Sequence, residues 1–176
     1  MHRIRRHLLV LVASIVAVAA LGVNAGAAVA HDGDHGHHDH RHLRITAFNY
    51  GYRGVPRELD AGHLTFSFHN SSPDEDHEIG FYRLNNPRTS ARAVRDQIAE
   101  IIATTPPGQP PDPGRITLFD LNSYQGTEAA PGQSTTGNRL DLQKGSYVYL
   151  CFMPSPGHNM EPHVLLGMIG KVRVEE

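Results

Sequence analysis

Residues 147–174 read YVYLCFMPSPGHNMEPHVLLGMIGKVRV, and their pattern decides the reading of this chain. The run 147–152 is rich in aromatic side chains, and the closing run 166–174 carries the β-branched Ile169, Val172 and Val174, so each predicts a strand. Between them, Pro154, Pro156, Gly157 and Pro162 turn the chain. One strand therefore delivers Cys151, and His163 and Met168 follow before the last strand. A thiol, an imidazole and a thioether are gathered at one end of whatever sheet these strands join.

Moving outward, residues 43–48 and 64–68 alternate apolar and polar side chains, as a sheet with one buried face requires. Residues 78–84, 116–121 and 133–142 are further strand candidates. The span 89–104 breaks the alternation, because Val94, Ile98, Ile101 and Ile102 recur at helical spacing. The proline-rich stretch PPGQPPDPG, starting at Pro106, ends that helix. Short strands with frequent turns and one helix predict an all-β fold, an antiparallel β-sandwich with one inserted helix at about residues 89–104. No internal repeat is evident.

The N-terminal segment has a different character. Arg3, Arg5 and Arg6 precede an almost wholly apolar run over 8–21, and Ala28-Val29-Ala30 supplies the small residues of a cleavage site. Residues 1–30 therefore read as a secretory signal peptide, which places the protein outside the cytoplasm, in the cell envelope, periplasm or medium. A retained N-terminal anchor is the other reading of the same run. Cleavage after Ala30 takes those three arginines from 16 basic residues, leaving 13 against 18 acidic ones, a formal charge of −5. That balance excludes the basic surface a nucleic-acid-binding protein needs.

Residues 31–42, HDGDHGHHDHRH, hold six histidines and three aspartates with nothing apolar to bury. This composition predicts a disordered leader that can bind copper, zinc or nickel weakly, or that acts simply as a solubilising segment. The folded domain is expected over 43–176 as a monomer, with no membrane span in the mature chain.

The remaining chemistry is concentrated around the single cysteine, which has no disulfide partner within the chain. Thiolate sulfur stabilises Cu(I), imidazole serves both Cu(I) and Cu(II), and a weak axial thioether helps set the potential. Cys151, His163 and Met168 supply three such groups, and His77, after the turn NSSPDED, is the candidate for a second imidazole. His158 and Met160 form a rival pair on the same loop. His63 and His69 fall on the alternating strand around 64–68 and read as structural. Asp74, Glu75, Asp76 and Glu78 surround His77, either as a solvated turn or as an acidic patch that steers a basic partner. There is no Ser-His-Asp ordering, no phosphate-cradling glycine loop and no HExxH.

The segment from Tyr147 through Cys151, Pro162-His163 and Gly167-Met168 to Val172 resembles the C-terminal ligand loop of the cupredoxins, the plastocyanin and azurin superfamily. It is also similar to the type 1 copper loop of copper nitrite reductases, in which a longer insert separates the cysteine from the histidine. Phe66 and Asn70 before His77, and Gly145 and Tyr147 before Cys151, fit the same pattern. The resemblance implies a Greek-key sandwich binding one type 1 copper through His77, Cys151, His163 and Met168, with His163 as the route by which the electron leaves. Two features depart from the family. Eleven residues separate Cys151 from His163, and Glu78 stands where many members carry an asparagine or another small polar residue that ties the two ligand loops together. The expectation is an exported, non-enzymatic one-electron carrier serving redox partner proteins. A copper sequestration or delivery protein and a metal-free interaction domain are the other readings.

Overall fold

The computed structural model of the protein describes His42–Glu176; the expected signal peptide and all of the expected His-rich leader except His42 lie outside the described residues. In chain order the elements are β1 (His42–Phe48), β2 (Gly51–Arg53), β3 (Glu58–Asp60), β4 (Gly62–Asn70), β5 (His77–Arg83) and α1 (Ala91–Thr104). They continue with β6 (Gln125–Ala129), β7 (Ser134–Leu142), β8 (Gly145–Leu150), β9 (Pro154–Ser155), β10 (Glu161–Pro162), α2 (His163–Leu166) and β11 (Ile169–Glu175). One sheet has the order β2-β1-β4-β7, the other β3-β11-β8-β5-β6, and β9 and β10 form a separate small pair. The chain passes repeatedly between the two sheets, as a Greek-key sandwich does.

Alternation explains how the sheets face each other. Along β4, Leu64, Phe66, Phe68 and Asn70 are buried while His63 and His69 are exposed. Those phenylalanines meet Ile79 and Phe81 of β5, and Leu140, Leu142, Val172 and Val174 complete the core between the sheets. His63 and His69 stand on the outside as expected, His63 near Asp141 and His69 bonded to Ser134. His42, expected at the end of the leader, instead opens β1, with its ring against the hydroxyls of Thr65 and Ser67.

Strand β5 is buried at six successive positions, His77 to Tyr82, because its second face is covered as well. There Tyr82, Leu84, Val148 and Leu150 pack against Val94 and Ile98 of α1, together with Phe119 and Val164. The helix begins at Ala91 because the Ser90 side chain accepts from the Ala93 N–H and caps the first turn. Lys171 fixes the approach to this helix by donating to the carbonyls of Pro87 and Thr89.

The sandwich and its inserted helix are as expected, with two differences of detail. The pairings β1–β4 and β3–β11 run parallel, so each sheet is mixed. Residues 116–121 form no strand beyond one bridge between Leu84 and Phe119. Asp112 and Asp120 instead accept from the N–H groups of Gly114 and Asn122 and close two 3₁₀ turns, a local competition that alternation does not reveal.

Candidate metal centre

Three donor atoms converge at one end of the sandwich. His77 Nδ1, Cys151 Sγ and His163 Nδ1 all lie within 4.8 Å of one another, and all three residues are fully buried. The two nitrogens are 3.0 Å apart, and the sulfur is 3.4 Å from His163 Nδ1. Donors bound at about 2.0–2.3 Å to a common ion stand roughly 3–4 Å from each other, so these separations suit a shared metal.

The elements that place these groups are built locally. His77 opens β5, and the loop before it is held by Asn70, whose amide donates to the carbonyls of Glu75 and Ala129 while its oxygen accepts from Ser72 N–H. Cys151 follows the last residue of β8, beside β5 in the sheet. His163 begins α2, a single turn, and its N–H reaches the carbonyl of Met153 while Val164 N–H reaches that of Cys151. Gly167 ends that turn at φ +123°, a conformation side-chain-bearing residues avoid, and redirects the chain into β11. Met168 then sits with its main chain bonded to Cys151 N–H and His163 C=O, and its side chain is buried in the same cluster as Cys151.

The eleven-residue insertion does not displace His163. It folds into the β9–β10 pair around a 3₁₀ turn, Pro156–His158. That turn carries the rival His158 out to the surface, where its Nδ1 contacts Tyr50 Oη at 2.8 Å and Ser155 Oγ at 3.0 Å. The structure therefore brings His163, rather than His158, to the cysteine.

Protonation states follow from the surroundings. Burial, then the nearby His163, lowers the His77 pKa to about 4; burial chiefly lowers that of His163. Both rings are therefore neutral at pH 7, with one N–H each. His77 Nε2 faces Asn49 Oδ1 at 2.8 Å, and His163 Nε2 faces Glu75 Oε2 at 2.8 Å in a close but bent contact. Both outer partners are acceptors, so the protons belong on Nε2 and both Nδ1 lone pairs point at the same spot. Two lone pairs 3.0 Å apart repel unless something positive lies between them. The donor set fits a metal on this ground, independently of any likeness to other proteins. Burial, and next the charge of Glu78, pushes the Cys151 thiol well above its ordinary value, so without metal it keeps its proton.

The flanking acids are not one solvated patch. Asp74 and Asp76 are exposed, but Glu75 and Glu78 are each only 7% exposed. Glu78 does provide a tether between the two ligand segments. Its N–H donates to Cys151 Sγ at 3.4 Å, and its carboxylate accepts from Phe152 N–H at 2.6 Å. Burial raises its carboxyl to about 7. Tyr52 donates to the Glu78 carbonyl at 2.5 Å, adding a second fastening on the same side.

His163 lies deeper than its place on a terminal loop suggests. The ring that the resemblance names as the electron's exit route is 0% exposed, with Glu75 at its outer nitrogen and the Tyr50 ring centroid 5.1 Å away. Asn49, Tyr50, Ser155 and the clamping role of Glu75 were not among the residues expected at the site. The run Asn70–Asp76, dense in turn-forming and carboxylate side chains directly before a ligand, was the one signal available.

A mixed β-sandwich closing over a buried His-Cys-His set is the arrangement that the cupredoxin resemblance led one to expect. Among solved structures, the chain is similar to reduced auracyanin from the photosynthetic bacterium Roseiflexus castenholzii, at 24% identity and a TM-score of 0.44, covering 77% of this chain and 97% of that one. It is likewise similar to auracyanin A, described as a blue copper protein, from Chloroflexus aurantiacus (19% identity, TM-score 0.44, 77% and 98% covered). A rusticyanin from Thiobacillus ferrooxidans aligns at 15% identity and TM-score 0.41, over 76% and 77% of the two chains. A multicopper oxidase aligns at 23% identity and TM-score 0.42, but over only 42% of its own length. No protein-family model matches the chain, and no curated protein matches it in sequence. Among the described residues, no helix is long and apolar enough to cross a membrane.

Proposed function

We propose that the protein is an exported one-electron carrier that binds a single copper ion through His77, Cys151 and His163, with Met168 as a weak axial ligand. The observation that carries this reading is the convergence of His77 Nδ1, His163 Nδ1 and the Cys151 sulfur on a point closed to solvent. Copper bound there would supply a one-electron couple, with sulfur favouring Cu(I) and imidazole compatible with both states. The protein's own contribution is rigidity. Asn49 and Glu75 fix the outer nitrogens, and the Glu78 N–H steadies the sulfur, so the donors keep their places when the charge at the centre changes.

The same closure argues for a carrier without substrate turnover. An enzyme acting on a metal-bound substrate needs an open position, whereas here both imidazoles are capped and the Tyr50 ring stands 5.1 Å from one and 6.5 Å from the other. The partners on this reading are other redox proteins. Residues 1–30 would direct export, and the leader at 31–42 would add weak copper or zinc sites.

Copper titration of the mature chain, with and without residues 31–41, tests this directly. The expected result is one tightly held copper with intense thiolate-to-Cu(II) absorption, retained without the leader and lost in Cys151→Ser. A colourless copper-loaded protein whose stoichiometry survives Cys151→Ser would overturn it. Several coppers per chain, most of them lost with the leader, would favour sequestration instead.

A further inference from the structure

Among the described residues, Glu75 is the one carboxylate in contact with a proposed ligand ring, and it is held from every side. Its N–H donates to Ser72 Oγ at 3.1 Å and its C=O accepts from Asn70 at 2.8 Å, which fixes the backbone. Its Oε1 accepts from Ser155 Oγ at 2.7 Å and Tyr50 Oη at 3.0 Å, leaving Oε2 aimed at His163 Nε2 at 2.8 Å. These partners come from three separate segments: the turn after β1, the end of β4 with the loop that follows it, and the β9–β10 insertion. Burying a carboxylate is costly, and a buried ion pair is weak grounds for stability alone. Such an arrangement calls for a local reason.

We propose that Glu75 is a positioning residue for the metal centre: it holds the outer nitrogen of His163 so that Nδ1 stays aimed inward, and with Tyr50 it seals the centre against outside ligands. This rests on the copper reading given above. Nδ1 of this ring faces only His77 and Cys151, the groups that would share the metal, so without the carboxylate its outer nitrogen has no polar partner among the described contacts. Glu75 also joins the insertion to the ligand set through Ser155, so the extra residues between Cys151 and His163 serve as part of the seal.

The test uses the mature chain as wild type, Glu75→Ala and Glu75→Gln, each loaded with copper and titrated with azide. The wild-type visible and EPR spectra should ignore azide. Glu75→Ala should respond to azide and lose about 10- to 100-fold in copper affinity, the usual cost of removing a group that orients a ligand. Glu75→Gln keeps an acceptor oxygen and should behave like wild type. An azide-indifferent Glu75→Ala with unchanged affinity, or a Glu75→Gln as impaired as Glu75→Ala, would overturn the proposal. Nitrogen NMR of the copper-free wild type is independent of both variants. A His163 proton on Nε2 supports the positioning role even if copper loading gives no colour, whereas a proton on Nδ1 with bare Nε2 rejects it whatever the copper result.

Discussion

The two sides of the donor cluster are held in different ways. On the strand side, Cys151 is fixed by main chain: its N–H reaches Met168, its C=O receives Val164, and its sulfur accepts the Glu78 N–H. On the loop side, His163 has a fixed main chain, but its ring depends on side chains from three segments. The strand side inherits its geometry from the β5–β8 register, in which Gly80 faces Leu150, and it fails only when the sheet fails. The loop side rests on separate hydrogen bonds, each worth about 0.5–1.5 kcal/mol net, and can loosen while the fold stands.

The sharpest way to break that contrast is to attack the core beneath the strand side. Phe81→Ala removes a fully buried ring packed on Phe66, and chemical denaturation should show a loss of about 3–5 kcal/mol, with copper binding and fold lost together. Glu78→Gln should separate charge from tether. Its carboxyl is raised from 4.5 to about 7 in the fold, so the native state holds a proton that the unfolded chain has already released. Wild-type stability from this group is therefore full below pH 4.5 and falls as pH rises toward 7. In urea unfolding of copper-free protein, the variant should gain on wild type by about 2–3 kcal/mol across that window and stay level above it. On the loop side, Ser155→Ala removes the shortest hydrogen bond to Glu75 and should cost about 1 kcal/mol, read as a small shift in the denaturation midpoint. Tyr50→Phe keeps the ring over both imidazoles and deletes only the hydroxyl, so it should cost about 0.5–1 kcal/mol and leave the copper spectrum unchanged.

Much of the strand side was legible in the sequence. Alternation marks Leu64, Phe66 and Phe68 as inward, helical spacing marks Val94, Ile98 and Ile101, and the order Cys151, His163, Met168 places three candidate groups on one loop. The short strands β2, β3 and β6 carry too few residues for a period to show. Parallel pairing of β1 with β4 depends on topology, which no local pattern encodes. The loop side was nearly invisible for a related reason. Glu75 and Asp76 look alike as neighbours in sequence, and only long-range contacts with Tyr50 and Ser155, 25 and 80 residues away, make one buried and leave the other in water.

The 3.0 Å approach of the two Nδ1 atoms has a thermodynamic reading as well. Folding brings these mutually repelling lone pairs together before any cation arrives, and an ion that binds there stabilises the folded chain but not the unfolded one. Occupancy and folding are therefore linked through mass action: above the dissociation constant, each tenfold rise in free copper should deepen the native state by about 1.4 kcal/mol. The thiol proton that Cys151 keeps in the empty site must leave as the ion enters, so the same link runs through pH. The melting temperature of this domain would thus serve as a gauge of how much copper its compartment holds.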